Sequence, residues 1–151
     1  MRLLLQRVSR AEVRVGGGVT GRIETGLVAL VGVGHGDTVD VARAMARRTA
    51  ELRIFADDEG RTNRSLLDVG GAVLAVSQFT LYADTSRGRR PSLLRAADPG
   101  TGQRLYEEYA SALEEMGVPV GRGVFGAVMQ VELTNEGPFT IWLDSAESGR
   151  P

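Results

Sequence analysis

Apolar and polar residues alternate along 2–15 (RLLLQRVSRAEVRV), and Gly16-Gly17-Gly18 ends the run. A period of two predicts a half-buried strand. VTGRIE, residues 19–24, follows as its hairpin partner. LVALVGV, residues 27–33, has no polar alternation and reads as a buried strand. The period then becomes helical. Asp37 or Thr38 can cap a helix that places Val41, Met45, Thr49 and Leu52 on one face. RIF (53–55) is a short strand candidate, ADDEGRTN a polar loop, and AVLAVSQFTLYA (72–83) the longest strand-like run. Residues 84–97 read as a basic, irregular loop. Asp98-Pro99 opens a second helix, with Leu105, Tyr109, Leu113 and Met116 on one face and Gly117 to close it.

Two further strands, 127–134 and 138–143, flank NEGPFT (135–140), where a hairpin turn is expected. The tail 145–151 (SAESGRP) is expected to be disordered, leaving one domain over 1–144. The order is three strands, helix, strands, helix, strands. Hairpins dominate over regular β-α-β alternation. That predicts a single α+β domain with a mostly antiparallel or mixed sheet, curled towards a barrel, and two main helices.

Composition narrows the chemistry. The 151 residues are 42% hydrophobic and 25% charged, enough for one domain with a real core. The net charge of −1 argues against a broad basic coat for long nucleic acid, though Arg87, Arg89, Arg90 and Arg95 form a local patch. Cysteine is absent, which excludes disulfides, thiolate nucleophiles and cysteine-based metal sites. The N-terminal apolar run is broken by Gln6 and Arg7, too short and charged for a signal peptide or a membrane span. A cytoplasmic protein without membrane partners is expected.

His35, inside GVGHG, is the single histidine, and no cluster of metal ligands surrounds it in sequence. It reads as a turn residue. Gly32, Gly34 and Gly36 resemble a dinucleotide loop, but a G-x-G-x-x-G pattern needs glycine where Asp37 stands, in the place of a pyrophosphate. A glycine-rich strand-to-helix turn is the better reading. In SQFTL, period-two alternation puts Ser77 and Phe79 on one side of a strand and Gln78 and Thr80 on the other. By composition alone these are strand residues at a sheet edge.

SQFTL (77–81) and NEGPFT (135–140) together resemble the D-aminoacyl-tRNA deacylases, whose members carry an S-Q-F-T-L motif and an N-x-G-P-x-T motif near the C-terminus. LLLQRVSRAEVRV, RIFADDEGRTN, GGAVLAVSQFTL, RGRRPS and GAVMQVELTNEGPFTIWL agree in order and spacing, so the resemblance spans roughly 1–143. Leu93 departs from the aromatic that many members have after R-P-S, and the tail past Asp144 is longer than usual. The resemblance implies a barrel-like α+β fold. It implies hydrolysis of the ester joining a D-amino acid, or glycine, to the 3′ end of tRNA. It also implies a homodimer with active sites at the subunit interface, no metal or organic cofactor, and no DNA partner.

By motif match, Ser77, Gln78, Phe79 and Thr80 would surround the ester, with Phe79 orienting it. Thr80 resembles a residue once proposed as nucleophile; the substrate's own 2′-OH is the alternative. Met129 and Phe125 would line the terminal adenosine pocket, or are plain core residues. Arg7 would hold the Gly137-Pro138 backbone. A cis Gly137-Pro138 peptide would accept the substrate's amino group on its carbonyls and exclude an L side chain. Proline makes such a bond accessible and glycine permits close approach. The rival readings are a binding module that has lost activity and an editing relative specific for L-aminoacyl-tRNA.

Overall fold

The computed structural model describes residues 1–147; residues 148–151 of the expected disordered tail lie outside them. Three strands, β1 (Arg2–Val15), β2 (Gly18–Ile23) and β3 (Gly26–Gly32), precede helix α1 (Val39–Glu51). A two-stranded ribbon, β4 (Phe55–Ala56) and β5 (Thr62–Arg64), and the single turn α2 (Leu66–Val69) lead to β6 (Ala72–Ser77). A 3₁₀ turn (Phe79–Tyr82), helix α3 (Pro99–Glu115), β7 (Val120–Arg122) and β8 (Gln130–Asp144) complete the fold, and Ser145–Glu147 make a last 3₁₀ turn. Among the described residues no helix is long and apolar enough to cross a membrane.

The sheet is mixed, ordered β2-β1-β3-β6-β7 with β8 on β1. β1 pairs antiparallel with β2, β3 and β8, whereas β3–β6 and β6–β7 are parallel and crossed over by α1 and α3. Thr20 Oγ1 donates to the Arg122 carbonyl, and a Cβ on Gly21 would fall 2.8 Å from the Arg122 backbone. β2 therefore closes on β7, and the sheet becomes a nearly closed barrel. Glycine at 21 is what lets the two backbones meet.

Both faces of the central strands are covered, which is why β3 reads as an unbroken apolar run. Leu27, Ala29 and Val31 of β3 pack with Val73 and Ala75 of β6 beneath α1 and α3. Val28, Leu74 and Val76 point the other way, into the barrel with Val8, Val13 and Ile23. Thr38 caps α1 by accepting from Val41 N, and Asp98 caps α3 by accepting from Thr101 N, with Pro99 at the first turn. The helices are tied together inside the core by Thr49 Oγ1 and Tyr109 Oη, 2.8 Å apart.

Three expectations fail, and two short elements are unforeseen. The run 72–83 is not one strand: β6 stops at Ser77 and the chain coils into the Phe79–Tyr82 turn, so strand alternation does not apply to Phe79 and Thr80. NEGPFT is not a hairpin turn: β8 runs straight through it, antiparallel to β1 on both sides. The supposed polar loop carries β5, paired with β4, and β4 begins at Phe55 rather than 53. β7 and α2 have too few residues to show a period, and neither is foreseen.

Candidate active site

The NEGPFT segment is a large bulge. Gln6 opposes Thr140 and Val8 opposes Asn135, so residues 136–139 all stand against Arg7 alone. Local pairing cannot satisfy so long an insertion, and side chains take over. Asn135 Oδ1 accepts from Phe139 N at 2.9 Å, and its Nδ2 donates to Thr140 Oγ1 at 2.9 Å. The first and last polar residues of N-x-G-P-x-T thus clamp the segment between them. From below, Arg7 Nε donates to the Glu136 carbonyl (3.1 Å) and Nη1 to the Ile54 carbonyl (2.7 Å), with the guanidinium 4.6 Å from the centre of the Phe139 ring. The Gly137–Pro138 peptide is cis, and both residues are exposed. Gly137 has φ of +135°, and a Cβ there would lie 3.2 Å from Arg7 Nη2 and 3.0 Å from Phe139 N. Glycine is required twice over.

The second element is the Phe79–Tyr82 turn at the C-terminal end of β6. Gln78 N donates to the Val31 carbonyl at 2.8 Å, continuing the sheet by one residue before the chain leaves it. Gln78 Nε2 donates to Thr80 Oγ1. Phe79 is 54% exposed, Thr80 is exposed, and Ser77 and Gln78 are half-buried. Tyr82 anchors the turn: a Cβ on Gly34 would fall 2.5 Å from its ring, and one on Gly32 3.1 Å from the Gln78 carbonyl. Gly32 and Gly34 are therefore space for this turn rather than a phosphate cradle. Burial, with Asp37 and Asp144 nearby, pushes the Tyr82 phenol well above its ordinary pKa.

Arg2 locks the same turn. Its Nη1 donates to the Leu81 carbonyl at 2.9 Å, its Nε pairs with Asp144, and its guanidinium stacks between the rings of Tyr82 (4.5 Å) and Trp142 (5.6 Å). Sequence reasoning missed Arg2, Asn135 and Thr140 as site-building residues. The signal available for the last two was the fixed polar frame of the motif itself.

Phe125 and Met129 lie in the segment after β7, whose Gly123 N donates to the Ala75 carbonyl. That places them towards the Ser77 end of β6. Both are half-buried: Phe125 packs 6.3 Å from Tyr106, and Met129 lies over Gly123, where a Cβ would meet its sulfur at 2.6 Å. Core packing is visible for each, beside one exposed edge.

The two motifs are not brought together within one chain. The bulge sits opposite Arg7, where β1 pairs with the start of β3 (Arg7 with Leu27). The Phe79–Tyr82 turn is held by Arg2 and Val31, at the other end of β3. Five residues of strand separate Arg2 from Arg7, roughly 17 Å. Among the described residues no cluster of three or more His, Cys, Asp or Glu could hold a metal ion.

A family model described as D-Tyr-tRNA(Tyr) deacylase matches residues 4–144. A D-aminoacyl-tRNA deacylase of Roseiflexus castenholzii is 60% identical over 146 residues, covering 97% of this chain and 93% of the relative. One of Deinococcus radiodurans is 55% identical over 144 residues, covering 95% and 99%. Among solved structures, a c-Myc DNA Unwinding Element Binding Protein matches with a TM-score of 0.90 and 35% identity over 95% of this chain and 98% of that one. A probable eukaryotic D-amino acid tRNA deacylase matches in fold, with a TM-score of 0.78 and 18% identity over 94% and 97% of the two chains.

Proposed function

The chain belongs to the D-Tyr-tRNA(Tyr) deacylase family, and we propose how its site carries out and restricts that family's reaction. It is a hydrolase acting on aminoacyl-tRNA, of the D-aminoacyl-tRNA deacylase type. The ester between the amino acid and the terminal ribose is broken by water. Hydroxide adds to the acyl carbon, and the proton returns to the ribose oxygen as it leaves. Such an ester is already activated and has a 2′-OH beside it, so positioning and oxyanion donors suffice. The opening N–H groups of a short helical turn have no partner within it. Those at Phe79 and Thr80 are the donors in this reading, with Ser77 and Gln78 framing the carbonyl and Phe79 orienting it. Thr80 acts through its contact with Gln78 rather than as nucleophile: an amide that donates to a hydroxyl does not deprotonate it. Phe125 and Met129 offer their exposed edges to the terminal adenosine. No cofactor enters the scheme.

Chirality is read by the main chain at Gly137–Pro138. The observation that carries this is the bracing of an exposed backbone from both sides, by Asn135 above and Arg7 below. A backbone held so firmly excludes an L side chain by volume while taking the amino group on its carbonyl oxygens. It needs no pocket for the D side chain, so D-residues of different size are accepted. Glycine, with nothing to exclude, is released too, including glycine mischarged on a non-cognate tRNA. The separation of the two motifs along β1 supports a homodimer in which each Gly137–Pro138 completes its partner's site.

The work is chiral proofreading in the cytoplasm, where aminoacyl-tRNA is made and used. No DNA partner is assigned, since a net charge of −1 provides no extended basic face for a duplex. The test is deacylation of glycyl-, D- and L-aminoacyl-tRNA by the protein and by a dimer-breaking variant. The reading expects loss of activity on dissociation; full activity in a monomer would refute it.

A further inference from the structure

All 18 basic side chains are arginines, and several are held within the fold. Arg2, Arg7, Arg14, Arg22, Arg43 and Arg122 are each held by a carboxylate or a main-chain carbonyl. The side chains of Arg87, Arg89 and Arg90 are exposed and make no hydrogen bond or ion pair among the described residues, as is true of Arg10, Arg47, Arg53, Arg95 and Arg104; what sets the three apart is their closeness in sequence. They sit together because the chain between Asp84 and Ser92 is a pinned hairpin. Asp84 N donates to the Ser92 carbonyl (2.8 Å) and Ser92 N to the Asp84 carbonyl (2.9 Å). Asp84 Oδ1 also accepts from Ser86 N, and Gly88 turns the tip with φ of +69°.

Behind the tip the return strand is fastened to the fold. Ala97 N donates to the Val33 carbonyl, and the His35 ring Nε2 lies 2.8 Å from the Leu94 carbonyl. The single histidine thus serves as a strut of this arm. The arm begins two residues after Tyr82, the anchor of the SQFTL turn, so its tip projects on the order of 15 Å from the site. Residues 84–95 hold four arginines and one aspartate, a local charge of +3. The rest of the chain carries −4 of the net −1. The arm is therefore a net positive segment beside the site in a chain that is otherwise net negative.

We propose that residues 87–90 form a phosphate-gripping arm that holds the acceptor stem of the tRNA while its 3′ end occupies the site. Guanidinium groups suit the role, since each presents a planar fork matched to phosphate oxygens. Three unpaired arginines lose no internal contact on binding and release counterions from the stem. The inference rests on the deacylase reading for its substrate.

The test compares the protein with its Arg87→Ala/Arg89→Ala/Arg90→Ala variant on two probes. One is an acceptor-stem minihelix ending in CCA, uncharged for binding and D-aminoacylated for kinetics. The other is a D-aminoacyl-adenosine, which has the ester but no stem. The expected result is minihelix binding weakened about tenfold or more near 0.15 M salt. The slope of log K against log salt should fall by about 2. KM for the charged minihelix should rise with kcat unchanged, and the adenosine ester should not distinguish the two proteins. Arginine-to-lysine replacement at the three positions should restore most of the slope, and each single alanine should lower it by somewhat under 1. Unchanged minihelix binding and slope, or an equal loss on the adenosine ester, would overturn the proposal. Failure of the unmodified protein to hydrolyse either ester would instead count against the deacylase reading, while the uncharged minihelix would still test the arm.

Discussion

Arg7 Nε donates to the main-chain carbonyl of Glu136 at 3.1 Å, across the four-residue bulge where β8 leaves its register with β1. A charged donor on a carbonyl next to the exposed Gly137–Pro138 main chain converts an irregular strand into a fixed feature. A charge-assisted hydrogen bond contributes about 1.5–3 kcal/mol, and Arg7 makes a second to Ile54 and stacks on Phe139. Arg7→Ala should therefore lower kcat/KM on D-aminoacyl-tRNA by about tenfold or more and narrow the D-over-L ratio. Arg7→Lys should recover part of the rate but less of the ratio, because one ammonium cannot span both carbonyls and the ring. A variant with lower activity but an unaltered ratio would show that Arg7 only stabilises the fold.

Thr80 is exposed and hydrogen-bonded to the Gln78 amide, with no base on its hydroxyl among the described residues. Thr80→Ala should slow deacylation by less than about a hundredfold, since positioning rather than bond formation is lost. Rapid quench followed by intact mass should show no acyl-enzyme. A trapped adduct at Thr80, or a loss of several orders of magnitude, would make it the nucleophile.

Gly34 is a steric partner of Tyr82. A methyl at 34 would overlap the ring at 2.5 Å, and Tyr82 is buried against Arg2. Gly34→Ala should cost about 1–3 kcal/mol by urea unfolding, as forced overpacking does, and should lower activity by displacing the SQFTL turn. Gly36→Ala meets no atom within 4 Å and tests only its φ of +82°. Equal, small effects at both would contradict the packing argument.

Alkaline pH should unfold the protein sooner than neutral pH. Burial raises the phenols of Tyr82, Tyr106 and Tyr109, Tyr106 to about 12, above the ordinary 10.0. The folded state binds these protons more tightly than the unfolded chain. The stability they supply is complete below about pH 10 and is lost as pH rises towards 12. Urea midpoints between pH 8 and 11.5 should be level at first and then fall. A midpoint rising over that range would be inconsistent with buried neutral tyrosines.

Much of this was readable in the sequence where a period had room to show. The long alternation of β1, the unbroken run of β3, the two capped helices and the barrel-forming α+β order all carry local signals of adequate length. The failures have one physical origin: local pattern does not report what a distant partner does. PFTIWL and QVELT each look like strands, and a glycine-proline pair between them looks like a turn. Only β1, pairing with both halves, keeps the chain going straight. Likewise SQFTL has strand composition, but Tyr82 finds the space over Gly34, and Arg2 the Leu81 carbonyl, so the chain coils after Gln78. The candidate site residues Gly137–Pro138, Thr80 and Arg7 were named from motif resemblance rather than from any local pattern. Of the residues that hold them, Asn135 and Thr140 act within the motif and were signalled only by its polar ends, whereas Arg2 acts across the fold and shows no local signature.

The central claim is that a braced main chain at Gly137–Pro138 selects the hand of the amino acid. The most direct measurement is the single-turnover rate of deacylation on one tRNA charged in parallel with the D and L forms of the same amino acid, without added metal and with a chelator present. The account predicts rapid release of the D form, an L form left close to the spontaneous rate, and no effect of the chelator. Comparable rates for the two forms, or activity abolished by the chelator, would contradict it.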